Sequence, residues 1–292
     1  MQWSMANTTG SDRPFLSVVI PVGRVDASLV WCLRALASQT LAREYFEVIV
    51  VLDGVSLPAG MPTAGLRVCA VEARAGRSAA RNRGIAEARG NVVVSLDCDM
   101  VASPDLLACY YEAHQRERLA CVGVRRFAHP SGGLMASNFD FAGLLSACDP
   151  RPDYRERFYR ATDYMRNAAE PFWAFWTCNC SYPLDIARQS GLFDDQMTGW
   201  GLEDVEFAYR LWRSGAVDFQ YLPGAVAIHM EHERDKPAEW QEWSSNRAYC
   251  VRKHGALFAD HPHRRDFPVL KGESARNPDR SSAPPFPPPY LS

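Results

Sequence analysis

An α/β fold, with a mostly parallel sheet and helices on both faces, is what this sequence predicts, and three observations predict it. Nearly unbroken apolar runs suited to buried strands occur at Leu16–Ile20, Phe46–Leu52 and Asn91–Leu96. Segments with apolar residues at helical spacing separate them, and this alternation argues for parallel strands covered on both faces by crossover helices. Each run also stops at a polar or turn-forming residue: Pro21, Asp53-Gly54 and Asp97-Cys98-Asp99. Those positions are the carboxyl ends of the strands, where open α/β sheets bind ligands.

Taken in order, residues 1 to 13 are polar and expected to be flexible. Leu16–Ile20 is the first strand, and Leu29, Leu33 and Leu36 mark a helix over Ser28–Gln39. Phe46–Leu52 and a short Leu66–Val71 segment are the second and third strands, followed by a helix over Ser78–Ala88 that Gly90 stops. Asn91–Leu96 is the fourth strand, Pro104–Glu117 a helix and Leu119–Val124 a strand. From Arg125 to Glu170 the periodicity weakens into a stretch rich in Arg, Asp and aromatics, with Gly132-Gly133 inside it. A loop of that length in a compact domain is usually functional, and it is assigned to acceptor binding. Phe172–Trp176 leads through Cys178-Asn179-Cys180 to a helix over Leu184–Ser190. After the stretch Gly199-Trp200-Gly201-Leu202-Glu203-Asp204, a helix carries Val205, Ala208, Leu211 and Trp212 on one face. Phe219–Leu222 and Ala225–Ile228 read as two strands, the second delivering His229-Met230-Glu231-His232, and Pro237–His254 as a polar helix bearing Trp240 and Trp243. Residues 261 to 292, with Ala283-Pro284-Pro285-Phe286-Pro287-Pro288-Pro289, lack the composition to pack a core and are expected to be a disordered Pro-rich tail.

At 292 residues, 47% of them apolar, the chain can bury one large core. Its formal charge of −2 gives no reason to expect nucleic acid or a charged membrane surface as partner. No run approaches the roughly 18 apolar residues of a membrane helix. The nine cysteines are odd in number, and Met1–Thr9 does not resemble a signal peptide, so the thiols are expected to be reduced and the protein cytoplasmic.

Three clusters carry the chemistry. Asp97 and Asp99 lie on the same side of an extended chain, suited to a divalent cation and the hydroxyls of a nucleotide sugar. An imidazole from another strand, His229 or by equal spacing His232, would complete a carboxylate–imidazole set that suits Mn²⁺ at least as well as Mg²⁺. Cys178-x-Cys180 with these histidines raises a zinc alternative, but its gap is one residue short of the usual pair, and buried free thiols are expected instead. Glu203 and Asp204 open a helix, where the dipole favours ionised carboxylates. Read blandly they are ordinary first-turn acids; read functionally, Asp204 accepts a proton and Trp200 lines a cleft for a sugar ring.

Arriving in this order over about residues 15 to 235, these motifs resemble family 2 glycosyltransferases of the GT-A, Rossmann-like fold. Ser17-Val18-Val19-Ile20-Pro21 is similar to the family's first strand and Ala80-Arg81-Asn82-Arg83-Gly84-Ile85 to its helix before the metal motif. Asp97-Cys98-Asp99 resembles its D-x-D, and Gly191-Leu192-Phe193-Asp194 with Gly201-Leu202-Glu203-Asp204 resembles its G-G-F-D and E-D motifs. Gly199-Trp200-Gly201-x-Glu203-Asp204 is also similar to a galactosyltransferase-type C-terminal motif. Two positions depart: Leu52-Asp53-Gly54-Val55 has one acid where many members have two, and Val205 stands where that last motif has another acid. Both leave the donor sugar open.

The resemblance implies inverting, metal-dependent transfer of a hexosyl or N-acetylhexosaminyl group from a UDP-sugar. The acceptor could be a glycan, a peptide, a lipid carrier or a small molecule. It implies a nucleotide-sugar-binding half at 14–124, with Pro21, Asp53, Arg81, Asp97 and Asn179 toward the donor: Asp53 at the base, Arg81 at the base or diphosphate, and Asp97 at the ribose or metal. Asp99 and His229 would hold Mn²⁺ or Mg²⁺. Residues 125–260 would form the acceptor-binding, catalytic half of the same domain, with Asp204 as general base, assisted by Glu203, and Trp200 and Gly201 against the acceptor. Two rival expectations are a sugar nucleotidyltransferase and a catalytically silent nucleotide-binding module.

Overall fold

The structure, a computed structural model, describes residues 13–61, 65–71, 74–129, 140–233 and 235–259. The expected N-terminal segment up to residue 12, the Gly132-Gly133 pair and the Pro-rich tail lie outside the described residues.

Strands β1 (Leu16–Val22), β2 (Phe46–Asp53), β3 (Arg67–Val71) and β4 (Val92–Leu96) pair in parallel, with Leu16 opposite both Phe46 and Val92. Successive side chains of these strands serve different cores, which explains why the runs carry no polar alternation. Val19, Ile49, Val51 and Val93 pack with helix α2 (Arg77–Glu87), while Val18, Ile20, Val50 and Val94 pack with α1 (Ala27–Ala37) and α3 (Leu106–Arg116). Asp26 caps α1 by accepting from the Ser28 N–H at 2.9 Å. Helix α2 lies so close to the sheet that a Cβ on Gly84 would meet Val19 Cγ1 at 2.4 Å and Val51 Cγ2 at 3.0 Å. Gly84→Val is therefore expected to destabilise the fold by about 1–3 kcal/mol through overpacking, read as a lower thermal midpoint; an unchanged midpoint would show that α2 can lift from the sheet.

The sheet continues in the order β3-β2-β1-β4-β7-β6-β8-β5. Strand β7 (Asn179–Pro183) runs antiparallel between β4 and β6 (Leu119–Ala128), and β5 (Met100–Ala102) pairs antiparallel with β8 (Asp218–Met230). Neither β5 nor β7 was expected: β5 is too short for periodicity, and the Asn-Cys-Ser-Tyr-Pro composition of β7 hides a fully buried strand. The two strands expected over residues 219–228 form one strand, interrupted where the register with β6 shifts between Gly123 and Val124. The weakly patterned region holds the end of β6 and two short helices, α4 (Phe141–Ser146) and α5 (Glu156–Ala161). Helix α6 (Leu184–Gln189) and α7 (Glu203–Ser214) cover the α2 side of the sheet, and α8 (Lys236–His254) packs over α7 through Cys250. All nine cysteines are free. Among the described residues no helix is long and apolar enough to cross a membrane.

Candidate active site

The carboxyl ends of β1, β2 and β4 come together as the sequence predicts, with half-buried Pro21, Asp53 and Asp97 at these ends. Asp53 accepts from the Ala75 N–H at 2.7 Å and the Gly76 N–H at 3.0 Å, which fixes the chain entering α2. Gly76 is required there twice over: its φ is +91°, and a Cβ would strike the Thr198 carbonyl at 2.6 Å. Helix α2 is thereby pressed against the segment that precedes Glu203. Ser78 donates to the Met197 carbonyl at 3.2 Å, and the Asn82 amide both donates to the Phe193 carbonyl and accepts from the Phe193 N–H.

At the end of β4 the chain turns tightly, the Met100 N–H donating to the Asp97 carbonyl at 3.0 Å. The turn sends the two acids to different partners. Asp97 faces Arg81, whereas Asp99 faces the end of β8, where the antiparallel register places His229 opposite Met100. Asp99 Oδ2 lies 3.4 Å from His229 Nε2 and 3.2 Å from His232 Nε2. One ligand atom from each of the three residues falls within 4.8 Å of the others. Burial opposes the Asp99 charge, yet hydrogen bonds from both imidazoles hold its carboxyl well below the usual carboxylate range. Asp99 Oδ1 and His229 Nδ1 are buried without a protein partner, a polar site set for a further ligand. One carboxylate with two imidazoles fits a divalent cation of intermediate softness. The sequence reading left His229 and His232 as alternatives; the structure brings both to Asp99. Among the described residues this is the one such group, and neither Cys178 nor Cys180 belongs to it.

Ahead of Glu203, Gly201 (φ +91°) and Leu202 (φ +69°) turn the chain into α7. Glu203 Oε1 accepts from Arg81 Nη1 at 3.1 Å, and Arg81 Nη2 reaches Asp97 Oδ1 at 3.1 Å. Arg81 and Glu203 are only 2% and 4% exposed. Arg81, expected at the base or diphosphate, is thus buried as a bridge between two carboxylates. Glu203, expected to assist at the acceptor, holds Arg81. Half-buried Asp204 accepts from the Val205 N–H at 2.8 Å. Burial pushes its carboxyl up to about 7, the Glu203 charge adds to the rise, and Arg81 opposes it. Desolvation is the largest cause of this rise.

The Gly-Trp-Gly turn rests on α8. Glu242 Oε2 accepts from the Trp200 N–H at 2.7 Å, Asn246 donates to the Gly201 carbonyl at 2.8 Å, and a Cβ on Gly201 would meet Trp243 Cδ1 at 2.7 Å. Sequence reasoning missed Glu242 and Asn246, which carry no pattern of their own; the spacing of Trp240 and Trp243, stacked at 4.9 Å, was the one signal that this helix has a specialised face. Asn179, expected toward the donor, lies on the buried strand β7. It is 2% exposed, donates to the Val124 and Ala225 carbonyls and accepts from the Tyr110 hydroxyl, so it ties the β6–β8 irregularity and presents nothing to a nucleotide sugar.

Comparison with known proteins bears on the family and the fold. The Glycosyl transferase family 2 description matches residues 17–173. Validoxylamine A glucosyltransferase of Streptomyces hygroscopicus subsp. limoneus is 31% identical over 268 residues, covering 86% of this chain and 59% of that protein. Chondroitin synthase of Escherichia coli is 29% identical over 251 residues, covering 74% and 34%. The chain therefore spans only part of the length of these relatives. Among solved structures, the mannosyltransferase PcManGT of Pyrobaculum calidifontis, in complex with GDP-Man and Mn²⁺, superposes with a TM-score of 0.56 at 18% identity, covering 82% of this chain and 65% of that one. GalNAc-T7, with UDP, GalNAc and Mn²⁺, gives 0.59 at 18% identity, covering 86% and 50%. At such identities the likeness speaks for the fold, which is GT-A. With the family match spanning the strand ends that carry Asp53, Asp97 and Asp99, the chain belongs to glycosyl transferase family 2.

Proposed function

We propose that the protein is an inverting glycosyltransferase that moves a sugar from a nucleotide diphosphate, UDP in the first instance, to a hydroxyl acceptor, with Asp204 as general base. One observation carries the reading: buried Arg81 ties the first turn of α7, which bears Asp204, to Asp97 beside the Asp99–His229–His232 group, and burial pushes the Asp204 carboxyl up to about 7. A general base works best with its pKa near the working pH. Asp99, His229 and His232 would hold Mn²⁺ or Mg²⁺, which supplies positive charge against the departing diphosphate. Asp204 takes the proton of the acceptor hydroxyl as its oxygen bonds to the anomeric carbon, while the bond to the diphosphate breaks on the opposite face. An alcohol is a far weaker acid than this carboxyl, so proton transfer accompanies attack rather than preceding it. Trp200, half-buried on the turn, is assigned to the acceptor ring. Val205 stands where the galactosyltransferase-type motif has a further acid, and it is buried in the core; that position adds no charge, so the donor need not be a galactosyl group.

The partial relatives carry names as different as validoxylamine A glucosyltransferase and chondroitin synthase, which leaves the acceptor among glycans, peptides, lipid carriers and small molecules. The test is a panel of nucleotide sugars incubated with the protein and Mn²⁺, with free nucleoside diphosphate as the readout. Release is expected with at least one donor, abolished by EDTA and restored by Mn²⁺. Full activity after thorough chelation would sink the metal assignment. Release of pyrophosphate from a nucleoside triphosphate would instead favour a nucleotidyltransferase, and nucleotide binding without turnover a silent module.

A further inference from the structure

Glu203 is held by a buried cation through Oε1, while its Oε2 is buried without a hydrogen-bond partner. The cation is Arg81, with its guanidinium 5.4 Å from the Phe193 ring centroid. Arg81 in turn reaches Asp97 at the end of β4. The bridge is not an incidental surface pair, because α2 is separately pinned to residues 193–198 by Ser78 and Asn82 and to the end of β2 by Asp53. A helix pinned along its N-terminal half carries, in Arg81, a cation that binds both Asp97 and Glu203. Planar Arg suits this role, since its fork serves two acceptors at once and a Lys ammonium is a single point charge.

We propose that Arg81 and Glu203 are positioning residues for the base: the Asp97–Arg81–Glu203 bridge joins the end of β4 to the first turn of α7 and sets Asp204 against the donor. The inference rests on Asp204 being the base, and it replaces the acceptor contact expected of Glu203. The charged and titratable groups facing Asp204 are Glu203 on its own helix, Arg81 from α2, Asp97 from the end of β4 and the Cys180 thiol from β7. From α8, Lys253 and His254 are taken up by Glu206. Glu203 is therefore the neighbour whose negative charge most opposes ionisation of Asp204, and Arg81 both cancels part of that charge and holds it in place.

The test uses Glu203→Gln and Arg81→Lys, each checked for an unaltered circular dichroism spectrum. Glu203→Gln keeps an oxygen for Arg81 but removes the charge beside Asp204. Carbon-13 titration of the Asp204 carboxyl in the donor-free protein is expected to show its midpoint falling by about one unit or more, as when a like charge is taken away. The acid limb of the transfer rate should move the same way, with affinity for UDP and Mn²⁺ within about twofold of the parent. Arg81→Lys is expected to lower kcat about tenfold or more with KM for the donor unchanged, the sign of lost alignment in the transition state. An Asp204 midpoint that stays put in Glu203→Gln overturns the proposal, as does a raised acceptor KM at unchanged kcat, which would return Glu203 to the acceptor. Because the titration needs no donor, it is read apart from turnover: an Asp204→Asn enzyme of normal rate would remove the base reading itself. Should Arg81→Lys fail to fold, Glu203→Gln alone decides.

Discussion

Asp204→Asn is expected to lower turnover on a hydroxyl acceptor by about two orders of magnitude or more while leaving donor affinity nearly unchanged, the usual scale of general-base catalysis. Two orders correspond to about 2.7 kcal/mol of transition-state stabilisation. The substitution keeps the size of the side chain and an oxygen for the Val205 N–H, the hydrogen bond that Asp204 makes, so the start of α7 should survive it. What it removes is the capacity to take a proton. The pH profile gives an independent reading of the same group. With the carboxyl pushed up to about 7, the competent, ionised form is lost as pH falls through that value, and the rate should drop about tenfold per unit on the acid side. A normal rate in Asp204→Asn would mean that another group is the base, or that the acceptor is already anionic, as a thiolate is. A limb that followed the pKa of the acceptor would identify the second case.

That carboxyl also shows where sequence stops being informative. The parallel half of the sheet was legible because burial on both faces leaves unbroken apolar runs, and the acids were legible because they end those runs. The environment of each acid was not. Asp97 and Asp99 are two residues apart and read as one motif, yet the turn at Met100 sends one to Arg81 and the other to His229 on β8 and His232 just beyond it. That both His229 and His232 reach Asp99 was invisible for the same reason: it depends on where β8 ends relative to β5, a register that no local pattern encodes. Asn179 gave no sequence sign that a buried strand would use its amide to satisfy carbonyls at the β6–β8 irregularity. Arg81 and Glu203 gave no sign of each other either. They lie 122 positions apart, and only tertiary structure shows that each is the other's partner.

The second large effect is expected at the metal group. Asp99→Asn should weaken binding of UDP in the presence of Mn²⁺ by about a hundredfold or more and abolish transfer. The reasoning is comparative: losing a residue that merely orients a ligand costs about 10–100-fold in metal affinity, and losing a charged ligand should cost at least the upper end of that range. Asn retains an oxygen toward His229 and His232 but carries no charge to neutralise a divalent cation, and the buried site offers it no other carboxylate within reach among the described residues. Substituting His229 or His232 singly by Ala should each weaken Mn²⁺-dependent UDP binding, since both rings approach Asp99 within 3.4 Å; one silent substitution would assign the remaining ring as the ligand. Isothermal calorimetry on the Asp99→Asn and Asp204→Asn proteins separates the two halves of the site. Asp99→Asn should lose nucleotide affinity and turnover together, Asp204→Asn turnover alone. Equal loss of nucleotide affinity in both would move Asp204 to the donor side, and the bridge from Arg81 to Glu203 would then be a donor-binding element rather than a support for the base.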